Sequence, residues 1–144
     1  MRSLLDANVL IALLDSDHIL NERAHEWFAD ERERGWASCP LTENAFIRVM
    51  STPSYSRTRR FSISDRIEHL NEFVRVTNHR FWTDELSLLD PAIFSPTRIH
   101  RPNQITDLYL LALAAKNGGR LVTFDEHIAL SAVPIATEEN LFVL

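Results

Sequence analysis

The chain has 144 residues and a formal net charge of -5, with 45% hydrophobic and 24% charged residues. That length and balance predict one domain over residues 1–144 with a packed core, and exclude a disordered or fibrous chain. Three glycines rule out Gly-rich phosphate loops, and the single cysteine, Cys39, rules out a disulfide framework or a thiolate zinc site. No apolar stretch is long enough for a membrane span, and Asp6 and Asn8 interrupt what would be a signal peptide, so a cytoplasmic location is expected.

Charge is unevenly spread. Residues 1–40 and 84–144 each carry 4 basic and 8 acidic side chains, whereas residues 41–83 carry 7 and 4. Of the 15 basic residues, 14 are arginine, a side chain suited to phosphate recognition.

In chain order, Ser3–Leu5 reads as a strand passing at Asp6 into a helix that carries Val9, Leu10, Leu13 and Leu14. A second helix is predicted from His18 to Arg34, with Ile19, Ala24, Trp27 and Phe28 on its apolar side and Gly35 as its stop. Trp36–Ser38 reads as a strand, and Pro40 opens a helix with Leu41, Ala45, Phe46 and Val49. Ser51 to Ser64 has no apolar period and reads as a loop. Ile63 or Ser64 then opens a helix through Val74, and Arg80–Thr83 reads as a strand. Residues 84–104 are weakly patterned. Thr106, as N-cap, opens a helix to Asn117 that Gly118–Gly119 ends, Leu121–Phe124 reads as a strand, and Val133–Ala136 and Leu141–Leu144 supply one or two more.

Short apolar strands alternating with helices predict an α/β fold, a parallel sheet covered on both faces. In such sheets the ligand site lies beyond the carboxyl ends of the strands. Asp6 and Asp125 directly follow strands there, while Glu43 and Asp107 fall in first helical turns. Each alone is explained by helix-dipole or turn preference. Gathered at one edge, two ionised carboxylates about 5 Å apart repel by roughly 3 kcal/mol at an effective dielectric near 20. A cation relieves that repulsion, and oxygen donors without paired histidine or cysteine favour magnesium or manganese over zinc. Phosphoryl transfer is the chemistry that uses such a site.

The strings LLDANVLIALL (4–14), SCPLTENAFIRV (38–49), ITDLYLLALAA (105–115) and LVTFDEHI (121–128) resemble the PIN-domain ribonucleases, most closely the VapC toxins of bacterial toxin–antitoxin pairs. The resemblance implies a three-layer α/β/α sandwich and a divalent-metal-dependent endoribonuclease using Mg2+, with Mn2+ as substitute. It implies Asp6, Glu43, Asp107 and Asp125 as catalytic residues, with Asp6, Asp107 and Asp125 holding metal. Asn8, Thr106 and Thr123 fall beside them as supporting polar groups. Expected partners are RNA, a VapB-type antitoxin and a second copy of the chain in a homodimer. Because RNA is a polyanion and the chain is acidic, Arg57, Arg59 and Arg60 are expected to contact its backbone. Two other readings compete. Asp6–Ala7–Asn8–Val9 faintly matches a haloacid-dehalogenase-type nucleophile motif but lacks its second aspartate at Asn8. The other rival is a non-catalytic PIN-like protein- or RNA-binding module.

Overall fold

The computed structural model describes residues 1–144. Five short strands form one sheet: β1 (Ser3–Leu5), β2 (Trp36–Ser38), β3 (His79–Phe81), β4 (Arg120–Thr123) and β5 (Leu141–Val143). Their order is β3-β2-β1-β4-β5 and every pairing is parallel. Five helices connect and cover them: α1 (Ala7–Leu14), α2 (Asn21–Glu31), α3 (Pro40–Met50), α4 (Ile63–Val76) and α5 (Ile105–Lys116).

The period of two along each strand sorts side chains into two cores. Leu4, Ala37 and Leu121 point to one face, where α5 packs with Trp82, Phe94 and Val133. Leu5, Trp36 and Val122 point to the other, against α1 and Phe46, Met50 and Leu70 of α3 and α4. The result is the expected α/β/α sandwich. Helix α5 is buried on nearly every side, from Leu108 through Ala114, which its almost uninterrupted apolar sequence permits.

Several boundaries differ from the sequence reading. Helix α2 begins only at Asn21, because residues 15–20 form tight turns: the Asp15 carboxylate accepts from the Asp17 N–H and His18 Nδ1 from the Leu20 N–H. Ile19, expected on its apolar side, is 93% exposed. Strand β3 starts one residue early, at His79, and Thr83 lies outside it; Trp82 still donates its N–H to Ser38 O but turns its ring into the α5 core. Residues 133–136 are not a strand. Pro134 has no N–H to give a ladder, and Val133 instead plugs the α5 core after a turn at Leu130–Ala132. The α5 N-cap is Gln104 rather than Thr106, because a single turn at Pro102–Gln104 runs straight into the helix.

The stretch between α3 and α4 is fastened rather than loose. Tyr55 and Phe61 pack on the second core, and the Tyr55 hydroxyl donates to Asp15 at 2.5 Å. No helix is long and apolar enough to cross a membrane.

Candidate active site

Strand β1 lies at the centre of the sheet, so the residue that follows it sits between both layers. That residue is Asp6, the N-cap of α1. Its backbone N–H still donates to Val122 O, which ties the start of α1 to β4. At the end of β4, Thr123 is fully buried and its hydroxyl donates to Asp6 Oδ2 at 2.7 Å. Thr123 Oγ1 in turn accepts from Asn8 Nδ2 at 3.2 Å and from the Asp125 N–H at 3.1 Å. Asn8 Oδ1 receives the Phe124 N–H at 3.4 Å, and Asp125 Oδ1 receives the His127 N–H at 2.8 Å. Asn8 and Thr123 therefore fix Asp6 and the Asp125 turn in one network.

Asp107 reaches the same place from the first turn of α5, across the sheet edge. Burial, and then the neighbouring charges of Asp6 and Asp125, push its carboxyl up to about 6 from 3.8. A hydrogen bond with the Asp125 carboxyl contributes, and it requires a proton on one of the two. Asp6 is raised too, chiefly by burial, against the stabilising bonds from Thr123 and the Ala7 N–H. These three carboxylates form one electrostatic unit.

Glu43 stands apart from them. Half-buried in the first turn of α3, it accepts the Ser38 hydroxyl proton at 2.5 Å, and Ser38 Oγ lies 2.8 Å from His79 Nε2. Ser38 ends β2, so Glu43 belongs to the same carboxyl edge of the sheet but faces the α3–α4 layer. For Ser38 to donate to Glu43, His79 must carry its proton on Nε2. Burial first, and then Arg2, push the His79 imidazole below its usual range, favouring the neutral ring. Nothing in the sequence marked Ser38 or His79, which meet only through strand pairing.

Of the other expected supports, Thr106 is exposed on the first turn of α5 and bonds to none of the carboxylates. Two of the three loop arginines are engaged elsewhere. Arg59 donates to Asp17 at 2.9 Å, lies 3.6 Å from Asp15, and sits over the Phe61 ring. Arg60 donates to the carbonyls of Pro53 and Ser56 at 3.0 and 2.7 Å. Only Arg57 has no partner. Asp15 caps the far end of the 8-residue helix α1, so this cluster lies about 12 Å along that helix from Asp6.

The donor set suits a hard divalent ion in chemistry, since it offers carboxylate oxygens whose mutual repulsion helps raise the Asp107 carboxyl and would be relieved by a cation. It is not a finished cage: no three acidic, histidine or cysteine side chains converge as a ready-made metal site. An ion that keeps several of its waters and takes only one or two carboxylates directly, as magnesium does, fits such a loose arrangement. Beside Asp107 and Asp125 opens a cleft of about 570 Å³, lined wholly by polar side chains that include His100, Arg101, Asn103 and His127.

Comparison with known proteins agrees with the fold and the strings. The PIN domain family model matches residues 3–134. The chain is 49% identical over its full 144 residues to Ribonuclease VapC44 of Mycobacterium tuberculosis, covering all of that protein. It is 36% identical over 132 residues to Ribonuclease VapC39 of the same species, covering 92% of this chain and 94% of that one. Over 123 residues it is 42% identical to Ribonuclease VapC38, with 85% and 84% covered. The structure of VapBC2 from Rickettsia felis, solved with a DNA fragment from the pair's promoter, superposes with a TM-score of 0.62. It does so over 100% of this chain and 99% of that chain at 11% identity, a likeness of fold. The chain belongs to the PIN-domain family, among its VapC-type ribonucleases.

Proposed function

We propose that the chain is the toxin of a toxin–antitoxin pair, acting as one domain to hydrolyse RNA phosphodiester bonds with the help of a divalent cation. The observation that carries this reading is the placement of Asp6, Asp107 and Asp125 at one carboxyl edge of a parallel sheet, with the Asp107 carboxyl raised by burial and by the other two. Carboxylates held together at such cost are expected where a cation is to be bound. The ribonuclease names of relatives at 49% and 36% identity support RNA as substrate.

In this reading Asp6, Asp107 and Asp125 hold the ion, with Mg2+ as the preferred species and Mn2+ as a substitute. When bound, it would supply charge to polarise the phosphate and to acidify a water. Thr123 and Asn8 keep Asp6 and the Asp125 turn aligned, so little reorganisation is needed on binding. Glu43, oriented by Ser38, orients the attacking water or holds a second ion. Attack is in line, and the released oxygen of the broken P–O bond takes a proton from solvent, with no covalent enzyme intermediate. A VapB-type antitoxin covering the acidic edge with a cationic side chain would relieve the same repulsion, and the VapBC pair seen in the structural neighbour supports such a partner. A homodimer is the expected assembly.

The test is cleavage of total cellular RNA by the purified protein. We expect cutting in magnesium, none in excess EDTA, and none by Asp6→Asn, which keeps the fold because size and shape are conserved. Full activity of that variant or in EDTA contradicts the proposal. A non-catalytic binding module is the competing reading. Normal RNA binding without cleavage in any divalent ion would establish it.

A further inference from the structure

If the substrate is RNA, as proposed above, the strand must approach a cluster of carboxylates that repels its phosphates. Positive or proton-donating groups close to those carboxylates are therefore required. Arg59 and Arg60 are committed to Asp15, Asp17 and backbone carbonyls about a helix length away. Arg57 is unengaged but belongs to that same distant loop, and other unengaged donors lie beside the carboxylates themselves. In the cleft beside Asp107 and Asp125, neither the Arg101 guanidinium nor the His100 and His127 rings form a hydrogen bond or ion pair within the chain.

That turn is built to hold them. Gln104 Oε1 accepts from the backbone N–H of both His100 and Arg101, at 3.0 and 2.9 Å. Pro102 sets the first position of the turn that continues into α5, so the 100–104 segment is rigidly joined to Asp107. On the opposite wall, Asp125 Oδ1 receives the His127 N–H, so that residue too is fixed relative to the carboxylates. No apolar side chain and no Phe, Tyr or Trp lines the cleft. With every lining side chain polar, a phosphodiester would find a planar five-donor fork, two imidazoles and the Asn103 amide to donate to it.

We propose that the cleft between the 100–104 turn and the 125–127 turn is a phosphodiester subsite. There Arg101, with His100, His127 and Asn103, holds a backbone phosphate of single-stranded RNA next to the scissile one. It reads the backbone and not the base, so its contribution is the same for every sequence. The side chains bind and position; none of them takes part in bond making.

The test uses the full chain with Asp6→Asn to prevent cutting, and fluorescein-labelled single-stranded RNAs of several sequences whose binding is titrated against salt. Adding Arg101→Ala should weaken binding about tenfold and flatten the salt slope by about 0.7. The loss should be equal across sequences. Arg101→Lys, which keeps the charge and loses the fork, should restore the slope and only part of the affinity. His100→Ala and His127→Ala should each weaken binding without changing the thermal midpoint, since neither ring is bonded within the fold. Unchanged affinity and slope in the triple alanine variant, with native protein still cleaving RNA in magnesium, overturns the subsite alone. A loss confined to certain sequences overturns the phosphate assignment. Native protein that neither cleaves nor binds RNA overturns the functional reading and the subsite with it.

Discussion

A hydroxyl that donates to Asp6 while accepting from the Asn8 amide and the Asp125 N–H leaves Thr123 with no spare bonding capacity in a fully buried position. Thr123→Val keeps the shape and removes all three bonds. It should cost about 1–3 kcal/mol in denaturant unfolding, and it should lower cleavage far more than substrate affinity, because it frees the Asp6 carboxylate to rotate and loosens the backbone turn that carries Asp125. A variant with native activity would show that the network is incidental. Ser38 plays the corresponding part for Glu43, through the chain that begins at His79. Ser38→Ala strands a half-buried carboxylate and should reduce cleavage while leaving the Asp6–Asp107–Asp125 unit intact, readable as unchanged divalent-ion affinity in calorimetry. Lost ion affinity would instead place Glu43 among the ligands.

At the scale of elements, the junction between α5 and β4 shows how little room the sandwich leaves. A Cβ on Gly119 would lie 2.5 Å from the Arg2 carbonyl oxygen and 2.6 Å from the Trp82 ring. The backbone atom cannot yield without breaking the pairing of β1 with β4. Gly119→Ala should therefore cost about 2 kcal/mol or more, as overpacking does, and shift the unfolding midpoint accordingly. An unaltered midpoint would mean that the first strand gives way at no cost. The elements of the sheet were legible in sequence where apolar runs met punctuation, as at Leu5–Asp6, Ser38–Pro40 and Thr123–Asp125. Asp6 and Asp125 follow from those boundaries, whereas the sequence places Asp107 in a first helical turn from a Thr106 N-cap that the structure moves to Gln104. Other features were not legible. Val133–Ala136 has the composition of a strand, and only competition for the sheet edge, with Pro134 unable to donate, sends it into the core. The arginines of 57–60 are an evident charge cluster, but the partners of Arg59, Asp15 and Asp17, lie 42 or more residues earlier and come near only on folding. The cleft at 100–104 fell in the weakly patterned segment, although its place just before the helix bearing Asp107 was a usable signal.

For the molecule as a whole, the acidic edge is a local instability tolerated by two well-packed cores. Its sign can be worked out from Asp107, whose carboxyl in the folded protein is raised by burial and then by Asp6 and Asp125 to about 6 from 3.8. The folded state holds that proton more tightly than the unfolded chain. Its contribution is thus fully present below pH about 4 and is lost as pH rises through about 6. In EDTA, Asp107→Asn should match the native protein in thermal stability near pH 4 and exceed it at pH 7. The gain should be about 1–2 kcal/mol once solvent screening is allowed for. A difference that does not grow with pH would contradict the electrostatic account. Magnesium should raise the native midpoint at pH 7 and leave that variant's largely unchanged. In the proposed reaction a cation-activated water, and not the RNA's own 2′-hydroxyl, attacks the phosphate at this edge. Mass spectrometry of the ends formed in the first turnovers after magnesium is added tests it most directly. A linear phosphate on one end and a free hydroxyl on the other are expected, with no such ends in EDTA. Accumulation of a 2′,3′-cyclic phosphate, or the same products without divalent ion, would contradict it.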